Sequence, residues 1–254
     1  MRIALLGDLH YPDVDSNKKE LSAAVDHFFE QYLREFFSIE ADFYVSIGDL
    51  THLGLESEFL TIYNYIKQYD INFRAVLGNH DVLSLSKEEI CSLIQQPSYD
   101  WIETQSALLL FLDTTKEFEL HGWGLDQKQW QWLEEQIVRS REKPLFIFAH
   151  HPVPETTAFS PNSADLVSFQ DIRPLLKKRE GLVIYFNGHT HIQDYHRENC
   201  HHYIQAGAPI CNMEVLLIEL NGNEVDVKKV DVRNKELEDS RKILYETLPD
   251  FHRP

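Results

Sequence analysis

No stretch of the 254 residues stays apolar for the roughly 20 positions that a bilayer-spanning helix needs, so nothing in the chain reads as membrane-embedded. Cysteine is scarce. Cys91, Cys200 and Cys211 are odd in number and far apart, which excludes a disulfide framework and a Cys-x-x-Cys metal pair. They read as reduced thiols of a cytoplasmic protein. A secretory leader is lacking too, because the apolar run Ile3–Leu6 is stopped at once by Gly7, Asp8 and His10. Cations are also in short supply: 24 Lys and Arg face 41 Asp and Glu, for a net charge of −17. Nucleic-acid binding rests on Lys and Arg meeting phosphates, so a polyanionic partner is disfavoured. No repeat, low-complexity tract or linker interrupts the chain. One domain over residues 1–254 is the simplest organisation, with 234–254 as a C-terminal helix and loosely packed tail. The oligomeric state is not legible, and a homodimer stays open.

What is present is an alternation of short apolar runs with longer periodic ones, the pattern of layered α/β structure. Strands are expected at Arg2–Leu6, Phe43–Ile47, Phe73–Leu77, Ala107–Leu112, Leu145–Ala149, Leu182–Phe186, His202–Gln205, Glu214–Leu220 and Glu224–Val230. Helices are expected at Lys18–Phe37, Glu56–Gln68, Ser86–Ile94, Asp126–Arg139 and Gln170–Lys178. In the first helix Leu21, Ala24, Val25, Phe28, Phe29, Tyr32, Leu33, Phe36 and Phe37 share a wide apolar face, which is core packing.

Five strand ends then carry polar residues able to bind metal. They are Gly7-Asp8-Leu9-His10, Gly48-Asp49, Gly78-Asn79-His80-Asp81, His150-His151-Pro152 and Gly188-His189-Thr190-His191. Ligands of open α/β sheets bind beyond the carboxyl ends of the strands. Each segment alone is compatible with an ordinary turn, although the alternation of an extended chain puts the two rings of His-x-His on one side. Together they bring three aspartates, one asparagine and six histidines to strand ends. Imidazole and carboxylate without thiolate favour zinc, manganese or iron over magnesium or calcium. A single zinc needs only three or four ligands, so the surplus argues for two ions. A pair about 3.5–4 Å apart is suited to phosphoryl displacement.

The ordered set Asp-x-His, Gly-Asp, Gly-Asn-His-Asp, His-x-Pro and Gly-His-x-His resembles the calcineurin-like metallophosphoesterases. It runs from Asp8 to His191, about three quarters of the chain, with every motif intact. The resemblance implies a four-layer αββα sandwich with two mixed sheets. It implies that Asp8, His10 and His191 hold one metal, that Asn79, His150 and His189 hold the second, and that Asp49 bridges them. A metal-bridging hydroxide would attack phosphorus, and His80 would be the catalytic histidine, a transition-state stabiliser or proton donor. His151 is left between no role and a place facing the substrate. Asp81 either orients a neighbouring histidine or folds its turn, and His52, near the predicted site, is either a solvated loop residue or a substrate contact. His27, His121, His196, His201, His202 and His252 match no motif.

The run Phe111-Leu112-Asp113-Thr114, then Gly124-Leu125-Asp126 and Gln129-Trp130-Gln131-Trp132-Leu133, is similar to the class III cyclic nucleotide phosphodiesterases and related glycerophosphodiesterases. The partner so implied is a small phosphodiester such as a cyclic nucleotide. The alternatives are a phosphomonoesterase of the same family and a metal-binding scaffold without activity. Gly48-Asp49-Leu50-Thr51-His52 lacks the arginine that follows Gly-Asp in protein serine/threonine phosphatases, which counts against that branch.

Overall fold

A computed structural model describes residues 1–69, 71–115, 123–139, 143–161, 171–179 and 181–248. The strands are β1 (Arg2–Leu6), β2 (Phe43–Ser46), β3 (Phe73–Ala75), β4 (Asp100–Glu103), β5 (Leu108–Phe111), β6 (Leu145–Phe148), β7 (Val183–Asn187), β8 (Asp194–Glu198), β9 (His201–Gln205), β10 (Glu214–Asn221) and β11 (Glu224–Asp231). The helices are α1 (Lys19–Ser38), α2 (Glu56–Ile66), α3 (Lys87–Ile94), α4 (Gln127–Arg139), α5 (Arg173–Leu176), α6 (Pro209–Asn212) and α7 (Lys235–Thr247). One sheet runs β11-β10-β1-β2-β3 and the other β4-β5-β6-β7-β9-β8. In the first, parallel β1, β2 and β3 carry antiparallel β10 and β11 on one side; in the second, parallel β5, β6, β7 and β9 are flanked by antiparallel β4 and β8. No helix among the described residues is long and apolar enough to cross a membrane.

The period of two in the strands explains the layers. In β1, Ile3 and Leu5 face the other sheet, where they meet Phe146, Phe148, Ile184 and Phe186. Ala4 and Leu6 face the opposite way, onto Phe28, Phe29 and Phe36 of α1 together with residues of α2, α3 and α7. Strands β5, β6 and β7 do the same on their side, with Leu110, Ile147 and Tyr185 packed against Trp123 and against Leu133 and Ile137 of α4. Because both faces of each central strand are covered, those strands read as continuous apolar runs. The product is the expected αββα sandwich of two mixed sheets.

The expected strands all form, several shorter by a residue or two at their carboxyl ends, where the chain breaks away to build loops. The predicted helix Gln170–Lys178 contracts to Arg173–Leu176, and Gln170 lies outside the described residues. Strands β4 and β8 and the short α6 were not expected. Both strands are sheet edges, and Asp194–Glu198 is exposed through its middle, so no apolar alternation marks it. The expected C-terminal helix is α7, while residues 249–254 of the expected tail lie outside the described residues.

Candidate metal centre

Strands β1, β2 and β3 run parallel, as do β5, β6, β7 and β9, so the carboxyl ends of each set lie on one edge. The loops leaving these ends are stitched together by their backbones. His10 N–H donates to Asp49 O (2.8 Å), Tyr11 N–H to Leu50 O (3.0 Å) and His52 N–H to Tyr11 O (3.0 Å). Gly188 N–H donates to His150 O (2.9 Å). Four of the predicted ligands sit at positive φ: His10 (53°), Asp49 (49°), His189 (72°) and His191 (61°). Non-glycine residues rarely adopt this region, and such conformations persist where the surroundings over-determine them, commonly at functional sites. Gly48 (φ 97°) leads into one of them and passes so close to the His150 ring that no side chain fits there.

All seven predicted ligands converge. His10 Nε2 and His191 Nε2 are 2.9 Å apart, and His10 Nε2 is 3.6 Å from Asp49 Oδ2. On the other side of the same carboxylate, His150 Nε2 is 3.3 Å from Asp49 Oδ2, 2.9 Å from Asn79 Oδ1 and 3.2 Å from His189 Nδ1. His189 Nδ1 is 2.9 Å from Asn79 Oδ1. Asp8 Oδ1 accepts from His189 N–H (2.7 Å), and Asp8 Oδ2 is buried without a hydrogen-bond partner, as is His191 Nδ1. Asp8, His10, Asp49 and His191 therefore offer ligand atoms within 4.8 Å of one another.

The donor chemistry fits metal. His150 Nδ1 lies 3.0 Å from Ile47 O, which can only accept, so Nδ1 keeps a proton, and in the neutral ring Nε2 turns a lone pair towards the oxygens of Asn79 and Asp49. A neutral ring so placed sets acceptor against acceptor, an arrangement that a cation resolves. Carbonyl oxygens holding the far nitrogen of a ligand histidine are the usual outer support of metal sites. Burial pushes the Asp8 carboxyl up and the His10 imidazole down, disfavouring the charged form of each. Burial would lower His150, yet Asp49 and Asp8 beside it push it up to about 9, a measure of the demand for positive charge here. His80 borders the first predicted ligand set, with a ring nitrogen within 4.8 Å of one on His10 and one on His52. Its Nδ1–H donates to His52 O (2.7 Å), its backbone N–H donates to Asp49 Oδ1 (2.8 Å), and its ring meets His10 edge-on at 4.6 Å.

The model of the calcineurin-like phosphoesterase family matches residues 1–193. The chain belongs to that family. A probable glycerophosphodiester phosphodiesterase GpdQ of Arcobacter nitrofigilis is 27% identical over 161 residues, covering 59% of this chain and 56% of the relative. The glycerophosphodiester phosphodiesterase GpdQ of Enterobacter lignolyticus is 25% identical over 156 residues, with the same coverage. The chain thus spans little more than half the length of these curated relatives. Among solved structures, a dimetal phosphatase from Danio rerio superposes with a TM-score of 0.69 at 14% identity, over 92% of this chain and 97% of that one. The purple acid phosphatase PPD1 of yellow lupin reaches 0.64 at 14% identity, over 90% of this chain and 51% of that one. At such identities these two show the shared fold.

For this member of the family, the remaining sequence expectations divide. Asp81 folds its turn: the buried carboxylate accepts from Thr51 N–H (2.9 Å), Thr51 Oγ1 (2.7 Å) and Gly78 N–H (2.9 Å), which locks the loops carrying Asp49 and Asn79 together. His151 is buried, with Nδ1 2.9 Å from Thr114 Oγ1 and its ring 4.7 Å from that of His189, so it packs among the ligands. His52 lies at the site, as expected, half-buried, with its ring 5.5 Å from His80 and 5.7 Å from His10. The run around Asp113 proves to be scaffolding. Gln129 clamps the backbone of Asp113 at both N–H and C=O (2.9 Å each), and Asp113 binds Lys87 (2.7 Å), which places Thr114 against His151. Leu133 is core, as read, and Trp130 packs edge-on against Trp123. Sequence reasoning missed Glu58, a fully buried carboxylate under the His52 loop, whose only signal was its place three residues after Leu55, the residue that precedes α2. His121 and His252 lie outside the described residues.

Proposed function

We propose that the chain is a phosphoesterase that works with two transition-metal ions, manganese, iron or zinc, and that its substrates are small phosphodiesters. Asp8, His10 and His191 would hold one ion, Asn79, His150 and His189 the other, with Asp49 shared. The observation that carries this reading is the single oxygen Asp49 Oδ2, approached by His10 Nε2 from one ligand set (3.6 Å) and by His150 Nε2 from the other (3.3 Å). Two ions so held supply charge stabilisation for the attacking and departing oxygens and lower the pKa of water.

The chain's own groups do the rest. His80 cannot give its Nδ1 proton away without losing the His52 carbonyl, so Nε2 is the nitrogen that protonates the departing alkoxide. Asp49 Oδ1 accepts from His80 N–H and thereby couples the acid to the metal-holding carboxylate. The preference for a diester draws on the glycerophosphodiester phosphodiesterases among the relatives. The net charge of −17 disfavours nucleic acid as substrate. The three free thiols accord with a cytoplasmic location.

The test is hydrolysis of bis-p-nitrophenyl phosphate and p-nitrophenyl phosphate by protein loaded with manganese, iron or zinc. Faster turnover of the diester is expected. Faster turnover of the monoester would make the protein a phosphomonoesterase, and no hydrolysis with any metal would make it a scaffold.

A further inference from the structure

Glu58 takes no part in the ligand sets, yet it is fully buried beneath the segment that follows His52. It stands in the first turn of α2 and accepts three backbone N–H bonds, from Asp13 (3.0 Å), Leu53 (2.9 Å) and Leu55 (3.1 Å). The bond from Leu55 is the return half of a helix capping box. The other two reach beyond the helix: one to the loop after β1, the other to the loop after β2. Burying a carboxylate is costly unless it is fully hydrogen-bonded, and this one is spent on holding backbone.

The segment so held is 51–55, and its neighbours fasten it from the far side. His52 N–H donates to Tyr11 O (3.0 Å), Ser84 Oγ donates to Leu53 O (2.6 Å), and Gly54, at φ 66°, lies flush against the carbonyl of Asp81. This segment also supplies the His52 carbonyl, which receives the Nδ1 proton of His80 at 2.7 Å. A carbonyl can only accept, so its position dictates which ring nitrogen of His80 keeps the proton and which is offered to substrate.

We propose that Glu58 is a positioning residue for His80. By fixing the 53–55 backbone it fixes the His52 carbonyl, and the carbonyl holds His80 with Nδ1 protonated and Nε2 presented. When Nε2 gives its proton to the leaving oxygen, the neutral ring is left as the Nδ1–H tautomer, which the carbonyl already accepts. Released from that carbonyl, the ring rotates and populates both tautomers. The inference rests on His80 acting as the proton donor.

The experiment uses the full chain with Glu58→Gln, Glu58→Asp and His80→Ala, and the double variant E58Q/H80A. Glu58→Gln exchanges one acceptor oxygen for an NH2 that confronts a backbone N–H. The first readout needs no activity: long-range nitrogen–proton NMR of the His80 ring in the zinc-loaded protein. The donor is the ring protonated on both nitrogens; once it is neutral, wild type is expected to show Nδ1–H alone, and Glu58→Gln a mixture of tautomers. The second readout is kcat over a series of aryl phosphodiesters. Glu58→Gln should lower kcat about 10- to 100-fold, more for poor leaving groups than for p-nitrophenolate, with two metals retained and KM little changed. Because Glu58 acts through His80, E58Q/H80A should be no slower than His80→Ala alone.

Losses that multiply in the double variant, or an unchanged His80 tautomer in Glu58→Gln, overturn the proposal. If Glu58→Gln does not fold, Glu58→Asp, which keeps the charge but falls short of the loop, carries the same comparisons. A wild-type protein that hydrolyses no phosphodiester sinks the functional reading instead, while the NMR readout still decides whether Glu58 sets the tautomer.

Discussion

Replacing Gly78 by alanine drives a methyl group against both the backbone and the carboxylate of Asp49. Gly78 does not have positive φ, so alanine can adopt its backbone conformation and the effect is steric. The new Cβ would lie 2.2 Å from Asp49 Oδ1 and 2.3 Å from Asp49 N, whereas ordinary contact begins at 3.4 Å. A side-chain rotation cannot relieve the contact with the Asp49 nitrogen, so the turns carrying Gly78 and Asp49, fastened by Gly78 N–H to Asp81 and by His10 N–H to the Asp49 carbonyl, must part and carry the carboxylate with them. Receding by about 1 Å would pull Oδ2 from between His10 and His150, and a misplacement of that size costs about 100-fold in turnover. The assay is metal content by elemental analysis at micromolar manganese, with kcat and thermal unfolding measured on the same samples. Fewer than two ions per chain and about 100-fold lower kcat are expected, with the metal-free protein melting lower than wild type because the overpacked turn costs about 1–3 kcal/mol. Gly222→Ala, on the β10–β11 hairpin with open space around it, serves as the control and should leave metal content unchanged. A Gly78→Ala protein that holds two ions and turns over like wild type would refute the reasoning.

Three further outcomes follow from the same geometry. His80→Ala should keep both metals and lose about 10²–10⁴-fold in kcat on substrates with poor leaving groups; loss of metal with unchanged activity per bound ion would show the role is wrong. Tyr185→Phe removes the hydroxyl that accepts from Trp123 Nε1 (2.6 Å) and donates to His151 O (2.9 Å). Urea unfolding should register a loss of about 1–3 kcal/mol, the cost of disrupting buried polar pairing. His201 and His202 are held by burial below the ordinary 6.5, so the unfolded chain takes up their protons first. The stability they contribute is present above pH 6.5 and is lost as pH falls through that value towards their folded pKa. The urea midpoint should therefore drop less between pH 7.5 and 5 in a His201→Gln/His202→Gln variant than in wild type, and equal drops would contradict the assignment.

The sequence disclosed the centre more fully than the loops around it. Asp8, Asp49, Asn79, His150 and His189 follow short apolar strands directly, so placing the strand ends also placed the ligands. Strand order needed long-range information: nothing local says that β10 pairs with β1 or that β9 lies between β7 and β8. The surroundings of His52 were illegible for a similar reason. Its place beside His80 depends on bonds to Tyr11, Ser84 and Glu58 that link separate loops, and a single loop histidine looks the same with or without them. The Asp113 run was noticed as a pattern, but its work, holding Thr114 against His151, became visible only once Gln129 and Lys87 were in place.

The central claim is that one oxygen of Asp49 is shared between two metal ions. Crystals grown with manganese, with diffraction recorded at a wavelength where the metal scatters anomalously, test it most directly. Two anomalous peaks about 3.5–4 Å apart are predicted, one among Asp8, His10 and His191, the other among Asn79, His150 and His189, with Asp49 Oδ2 between them. A single peak, or two peaks without Asp49 between them, would contradict the account.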